Sequence, residues 1–260
     1  MTDPTEQHDS STDTVGMTPE VRQQRRAVYL VPNLLTTTAL FAGFYAIIAA
    51  INGEFSNAAM AIFVAMIFDG LDGRVARMTH TQSEFGANYD SMSDLIAFGL
   101  APALVAFLWS LEYLDQVGWA ATFVYTAAAA LRLARFNVQQ GSVDKKFFIG
   151  LASPPAAAMV AGTVWAFNEL GFAGEDLVYL MVVLVPGVGC LMVSNFRYYS
   201  FKDFGLRGRI PFTALLLVVL AFVVIAMDPP VVLLLLFLTY ALSGPVMELW
   251  RRTKRRSTEG

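Results

Sequence analysis

The chain has 260 residues, of which 56% are hydrophobic and 15% charged, with a net charge of −3. A soluble domain carries about a quarter charged residues, so this composition excludes an ordinary water-facing surface, and the apolar residues are gathered in long runs. The single cysteine, Cys190, excludes an intramolecular disulfide, and two histidines, His8 and His80, exclude a histidine-rich metal site, which leaves oxygen ligands for any metal.

Residues 1–17 are polar and acidic, lack the basic and apolar regions of a signal peptide, and read as a disordered tail. Thr18-Pro19-Glu20 combines a capping hydroxyl, a first-turn proline and an early acid, and predicts a helix start. Residues 18–30 mix arginines with apolar residues, as an interfacial amphipathic helix does. Residues 31–247 are expected to form one membrane domain, with eight predicted spans near 34–52, 56–78, 88–111, 117–137, 151–171, 176–195, 210–227 and 229–247. Breakers separate them at Asn52-Gly53, Gly141-Ser142, Gly171, Gly205 and Asp228-Pro229-Pro230, while Pro154-Pro155 and Pro186 kink or delimit the fifth and sixth. The expected fold is all-α, a polytopic membrane bundle of about eight transmembrane helices. Residues 248–260 carry Arg-Arg-Thr-Lys-Arg-Arg, a basic tail suited to anionic lipid headgroups rather than to nucleic acid.

With this span count, all 18 lysines and arginines fall on one face of the membrane. The opposite loops hold only acids: Glu54, Glu112, Asp115, Glu169, Glu175, Asp176 and Asp228. The positive-inside rule then places both termini in the cytoplasm and the protein in the cell (inner) membrane.

The second and third spans contain four acids, Asp69, Asp72, Asp90 and Asp94. Ionisable groups at membrane depth are costly and point to function. Asp69, Asp72, Gly73, Ala76 and Arg77 share one helix face, and Asp90 and Asp94 stack one turn apart on the next helix. A short connecting loop makes the two helices antiparallel neighbours, so two carboxylates from each converge. Four such charges require neutralisation, and two hard divalent cations, Mg²⁺ or Mn²⁺, would balance them. Gly70, Gly73 and Gly86 leave room for a bulky ligand, and Arg77 suits a diphosphate oxygen. Two other readings stand beside this one. Simple pairing with Arg74 and Arg77 would account for two acids rather than four. A cation transporter would also use buried aspartates, but needs neither Arg77 nor the glycines.

The run Asp69-Gly70-Leu71-Asp72-Gly73-Arg74-Val75-Ala76-Arg77, followed by Gly86, Asp90 and Asp94, resembles the signature of the CDP-alcohol phosphotransferases. Every fixed position of that pattern is matched. The resemblance implies that Asp69, Asp72 and Asp90 ligate metal, with Asp94 completing the site and serving as general base. It implies further that Gly73 and Arg77 contact the CDP diphosphate, that Ser83 adds a hydroxyl, and that Pro32-Asn33-Leu34-Leu35 contacts the nucleotide. An ordinary span-entry turn is the other reading of Pro32-Asn33. The family's homodimeric state is also implied, while its usual six spans are fewer than the eight predicted here.

Three further segments, Leu131–Asn137, Phe148–Ala156 and Ser194–Lys202, resemble the family's CDP-diacylglycerol–serine O-phosphatidyltransferases. The reaction implied is CDP-diacylglycerol plus L-serine giving phosphatidylserine and CMP. Serine carries a carboxylate, so its pocket calls for a fixed cation. Arg132 and Arg135, three apart at the end of the fourth span, are the candidates: Arg135 as clamp, with Asn137 or Arg132 assisting. Contacts of both arginines with lipid phosphates are the competing reading. Glycerol 3-phosphate or inositol phosphate remain alternative acceptors, which would call for several basic residues. His80 reads as a solvated loop residue.

Overall fold

The computed structural model describes residues 19–79, 81, 83–139, 147–199 and 212–258. The acidic tail of residues 1–17, His80, Lys145, Lys146, Lys202, Arg207 and Arg209 lie outside the described residues.

Helices occupy all eight stretches where spans are expected. α1 (Pro19–Ile51) continues unbroken through Pro32, so one helix covers both the expected interfacial segment and the first span. α2 (Phe55–Met78) returns antiparallel to it. The third span is composite: α3 (Glu84–Asp94), a π-helical turn (Leu95–Leu100) and α4 (Ala101–Trp109). A 3-10 turn (Leu111–Leu114) leads to α5 (Asp115–Gln139). The remaining helices are α6 (Ser153–Glu169), α7 (Val178–Val193), α8 (Phe212–Met227) and α9 (Pro229–Thr258). Among the described residues, five helical stretches are long and apolar enough to cross a membrane: Leu30–Ile51, Glu84–Trp109, Leu111–Val138, Gly174–Val193 and Pro229–Glu248. The protein is an all-α, multi-pass membrane bundle.

Contacts between the ends fix the alternation of direction. At one end the Ser56 hydroxyl donates to Glu169 Oε1 at 2.8 Å, and Ser110 donates to the Gly174 carbonyl at 2.6 Å. At the other end Arg135 Nη2 donates to Asn195 Oδ1 at 2.9 Å. Arg74, Arg77, Arg132, Arg135 and Arg197 all lie toward this second, basic end. There a short antiparallel ribbon joins β1 (Phe147–Ile149) to β2 (Arg197–Tyr199), with Phe148 opposite Tyr198.

The core explains the abundance of alanine. Ala42, Ala46, Ala49 and Ala50 of α1 pack against Ala58, Ala59, Ala61, Ile62 and Ala65 of α2. In lipid, apolar side chains gain nothing by leaving their surroundings, and small residues instead let backbones approach and gain dispersion contacts. Gly43 is the limiting case, because a Cβ there would lie 2.6 Å from Ala97 Cα. α6 is buried along most of its length, between α2, α4, α7 and α9. Its two prolines, Pro154 and Pro155, occupy the first turn, where no intrahelical N–H is required.

The π turn has a local cause. Pro102 has no N–H to give to the Phe98 carbonyl. Tyr125, fully buried on α5, donates its hydroxyl to that carbonyl at 3.0 Å. The Ala101 N–H reaches back to the Ile96 carbonyl, the wider spacing of a π-helix. The irregularity begins immediately after Asp94. Replacing Gly43 by alanine is expected to cost about 1–3 kcal/mol through overpacking, read as a lowered thermal midpoint of the detergent-purified protein, whereas Gly70→Ala, in open space, leaves the midpoint unchanged.

Candidate active site

The helix-face argument is realised in three dimensions. Single carboxylate oxygens of Asp69, Asp72 and Asp90 all lie within 4.8 Å of one another. Asp72 is only 5% exposed, and Asp69 and Asp90 are half-buried. Asp94, one turn beyond Asp90, brings its carboxyl within hydrogen-bonding distance of Asp69. It therefore stands behind the triad rather than within it.

Such an arrangement is unfavourable by itself. Two unit charges about 5 Å apart repel by roughly 3 kcal/mol even at an effective dielectric of about 20. A proton or a cation must hold them together. Asp90 Oδ1 is buried, and it has no hydrogen-bond partner among the described residues. A fully oxygen-based donor set with one unsatisfied buried carboxylate oxygen fits a hard divalent cation. The triad is thus placed to hold a metal ion.

α1 supplies a support that the sequence did not announce. The Thr36 hydroxyl donates to Asp72 Oδ2 at 2.7 Å and also approaches the Pro32 carbonyl at 3.1 Å. Ser93, between Asp90 and Asp94, donates to the Thr36 carbonyl at 3.2 Å. Thr36 and Ser93 are both buried, so α1 is stitched to both aspartate-bearing helices. The available signal was position: Thr36 follows Pro32-Asn33-Leu34-Leu35 by one residue.

Among the residues expected to bind CDP, two local groupings are present: Gly73 with Arg77, and Gly86 with Ser83 and Asn33. Arg77 Nη1 lies over Gly73, 3.4 Å from where a Cβ would stand, and its guanidinium is within Coulombic reach of Asp72. A Cβ on Gly86 would meet Ser83 Oγ at 3.1 Å and Asn33 Oδ1 at 3.6 Å, which places Asn33 and Ser83 together. Ser83 caps α3, its hydroxyl accepting from the Gly86 N–H at 3.0 Å. Pro32 is buried, Leu35 half-buried, and Leu34 is 66% exposed on the outer face of α1.

Arg132 and Arg135, adjacent on one helix by spacing, take different partners. Arg132 Nη1 donates to the Ser153 hydroxyl on α6, and its guanidinium lies within Coulombic reach of Asp94 and Asp69. Arg135 instead turns to the end of α7, donating to the Asn195 side chain and, at 3.4 Å, to the Val193 carbonyl. Asn137 Nδ2 donates to Ser91 Oγ at 3.0 Å, linking α5 to the residue beside Asp90. Segments 131–137, 148–156 and 194–202 are far apart in sequence. Their described residues come together here through Arg132–Ser153, Arg135–Asn195 and the β1–β2 ribbon.

A family sequence model described as CDP-alcohol phosphatidyltransferase matches residues 29–193. This chain belongs to that family. The match runs from the first span through α7 and contains every aspartate and arginine of the site. Among relatives of this phosphatidyltransferase, a CDP-diacylglycerol–serine O-phosphatidyltransferase of Helicobacter pylori is 39% identical over 67% of this chain and 74% of its own. Proteins of the same name from Mycobacterium leprae and Methanocaldococcus jannaschii are 32% and 31% identical, over 84% and 68% of this chain and 75% and 78% of their own.

Because Thr36 holds Asp72 by a single hydroxyl, its loss is readable as metal affinity. Thr36→Val is expected to raise the Mn²⁺ concentration for half-maximal thermal stabilisation by about tenfold, as loss of an outer-shell partner does. Thr36→Ser, which keeps the donor, is expected to stay close to the parent.

Proposed function

We propose that this membrane enzyme transfers the phosphatidyl group of CDP-diacylglycerol to L-serine, releasing phosphatidylserine and CMP. The observation that carries the acceptor is Arg132. It sits between the aspartate site and Ser153, where the segments resembling serine-transferring relatives meet. The relatives' names support the same acceptor.

In this reading Asp69, Asp72 and Asp90 would hold Mg²⁺ or Mn²⁺ as a pair of ions, with Asp94 completing the site. Bound there, the metal supplies Lewis-acid screening of the anionic diphosphate. Arg77 and Gly73 contact a diphosphate oxygen, Ser83 adds a hydroxyl beside Asn33, and Pro32, Leu34 and Leu35 shape the nucleotide entrance on α1. Arg132 takes the clamp role expected of Arg135, because Arg135 is turned to Asn195 while Arg132 lies toward Asp94; Arg135 and Asn137 then assist at the serine carboxylate. The serine hydroxyl oxygen attacks the phosphatidyl phosphorus, and its proton passes to the Asp94 carboxylate. The phosphorus–oxygen bond to CMP breaks, and CMP leaves with the electron pair. Asp94 is assigned the base role because its carboxyl lies beside Asp69 and within Coulombic reach of Arg132, the group given to the acceptor.

The resemblance supports a homodimer, and the basic end of the bundle supports a cytoplasmic active site in the cell (inner) membrane. Incubation of purified enzyme with CDP-diacylglycerol, Mn²⁺ and a panel of labelled alcohols is expected to yield CMP and a serine-labelled lipid. Transfer to glycerol 3-phosphate or an inositol phosphate instead would replace the acceptor, and metal flux in liposomes without CMP release would replace the enzyme by a transporter. Asp94→Asn is expected to lower kcat by at least about 100-fold, the scale of a lost general base. Arg132→Ala is expected to raise the serine KM by at least about tenfold with the CDP-lipid KM nearly unchanged, as loss of a charged hydrogen bond to one substrate requires.

A further inference from the structure

Away from the aspartates, α5 and α7 leave a groove of about 270 Å³ between them. Ala127, Ala128 and Leu131 of α5 and Gly189, Cys190 and Val193 of α7 line it, and every side chain there is apolar or, at Cys190, a weakly polar thiol. Along α5 the lining runs from Phe123 to Leu131, roughly 12 Å of helix. The groove follows from residue size. Ala128 and Gly189 are buried and form its floor. A Cβ on Gly189 would stand 3.1 Å from Tyr125 Cα and 3.4 Å from Ala128 Cβ, so the two helices approach closely at that level. Leu131, Val193 and Cys190 are exposed and form the rim. In a membrane the surroundings are acyl chains, and an unfilled groove forfeits dispersion contacts along its lining.

A charge stands at the basic end of this groove. Arg135 lies one turn beyond Leu131, on the same stripe of α5 as Val124, Ala128 and Leu131. Its Nη1 donates to the carbonyl of Val193, a lining residue, at 3.4 Å, and its Nη2 to Asn195 Oδ1 at 2.9 Å. A guanidinium has five N–H donors, so part of the fork stays open, and among the described residues no carboxylate pairs with it. Arg197, two residues beyond Asn195, is exposed at the same end.

We propose that the α5–α7 groove is a binding site for a resident phospholipid with an anionic headgroup: one acyl chain lies along the groove, and the headgroup phosphate sits on Arg135. No residue of α2 or α3 lines the groove, so this lipid is separate from the donor at the aspartates. The inference goes beyond the acceptor reading, in which Arg132 takes the carboxylate and Arg135 only supports it. Charge complementarity selects the occupant. The apolar lining accepts a chain beneath any headgroup, but a cation at its end favours a net negative lipid over a zwitterionic one, whose ammonium brings like charge to the same place.

The test strips the full-length enzyme of lipid in neutral detergent and titrates it with dioleoylphosphatidylglycerol or dioleoylphosphatidylcholine, reading retained lipid by native mass spectrometry. The parent is expected to hold about one phosphatidylglycerol per groove and to bind it about tenfold more tightly than phosphatidylcholine, as one charge-assisted contact requires. Ala127→Trp fills the groove and is expected to abolish that retention; Cys190→Leu, which fills it from α7, replaces it if Ala127→Trp lowers the thermal midpoint. Arg135→Gln is expected to leave the two lipids bound equally. Equal affinities in the parent, retention that survives a folded groove-filling variant, or a phosphatidylglycerol preference that survives Arg135→Gln each overturn the proposal. A groove-filling change that turns a dimer into a monomer while the lipid stays bound also overturns it, and shows a second copy of the chain on this face.

Discussion

Everything in this structure turns on bringing like charges together at membrane depth. Asp69, Asp72 and Asp90 come close enough that mutual repulsion alone would drive their helices apart. A divalent cation converts that repulsion into attraction, and the bundle prepares the place for it. Alanine-lined α1 and α2 pack closely, Thr36 holds Asp72, and Ser93 ties α3 to the same turn of α1. The cation would not create the site from a flexible pair of helices. It would complete one whose backbone is already fixed.

Around that centre stand two groups of residues. On one side Arg77 lies over Gly73, and Asn33 and Ser83 meet at Gly86. The far side, beyond Asp94, is built from α5, α6, α7 and the β1–β2 ribbon, with α9 locked on by Tyr198. Arg132 and Arg135 part company there. The former is held inward by Ser153, the latter outward by Asn195.

How much of this was legible in the sequence depended on the range of the interaction. Spans and the aspartate motif are local patterns. Apolar runs of membrane length and acids at helical spacing state their structure within some 25 residues, and both appear where expected. Thr36 was not legible, because its importance lies in a contact with Asp72 thirty-six positions away, and a threonine near a helix start has many ordinary uses. The π turn was hidden for a related reason: Pro102 signals a missing donor, but only Tyr125, on another helix, reveals how the freed carbonyl is satisfied. Strands β1 and β2 are three residues each and lie in connecting segments, too short for any periodicity to register. The spacing of Arg132 and Arg135 suggested a shared face, yet their side chains are long, and their direction is decided by Ser153 and Asn195 rather than by the helix.

The most direct measurement is anomalous scattering from crystals of the enzyme grown with Mn²⁺. The account requires the strongest anomalous peak to lie among the carboxylate oxygens of Asp69, Asp72 and Asp90, and to vanish in Asp90→Asn crystals. A peak elsewhere, or aspartates found paired with Arg74 and Arg77 around an empty centre, would contradict it.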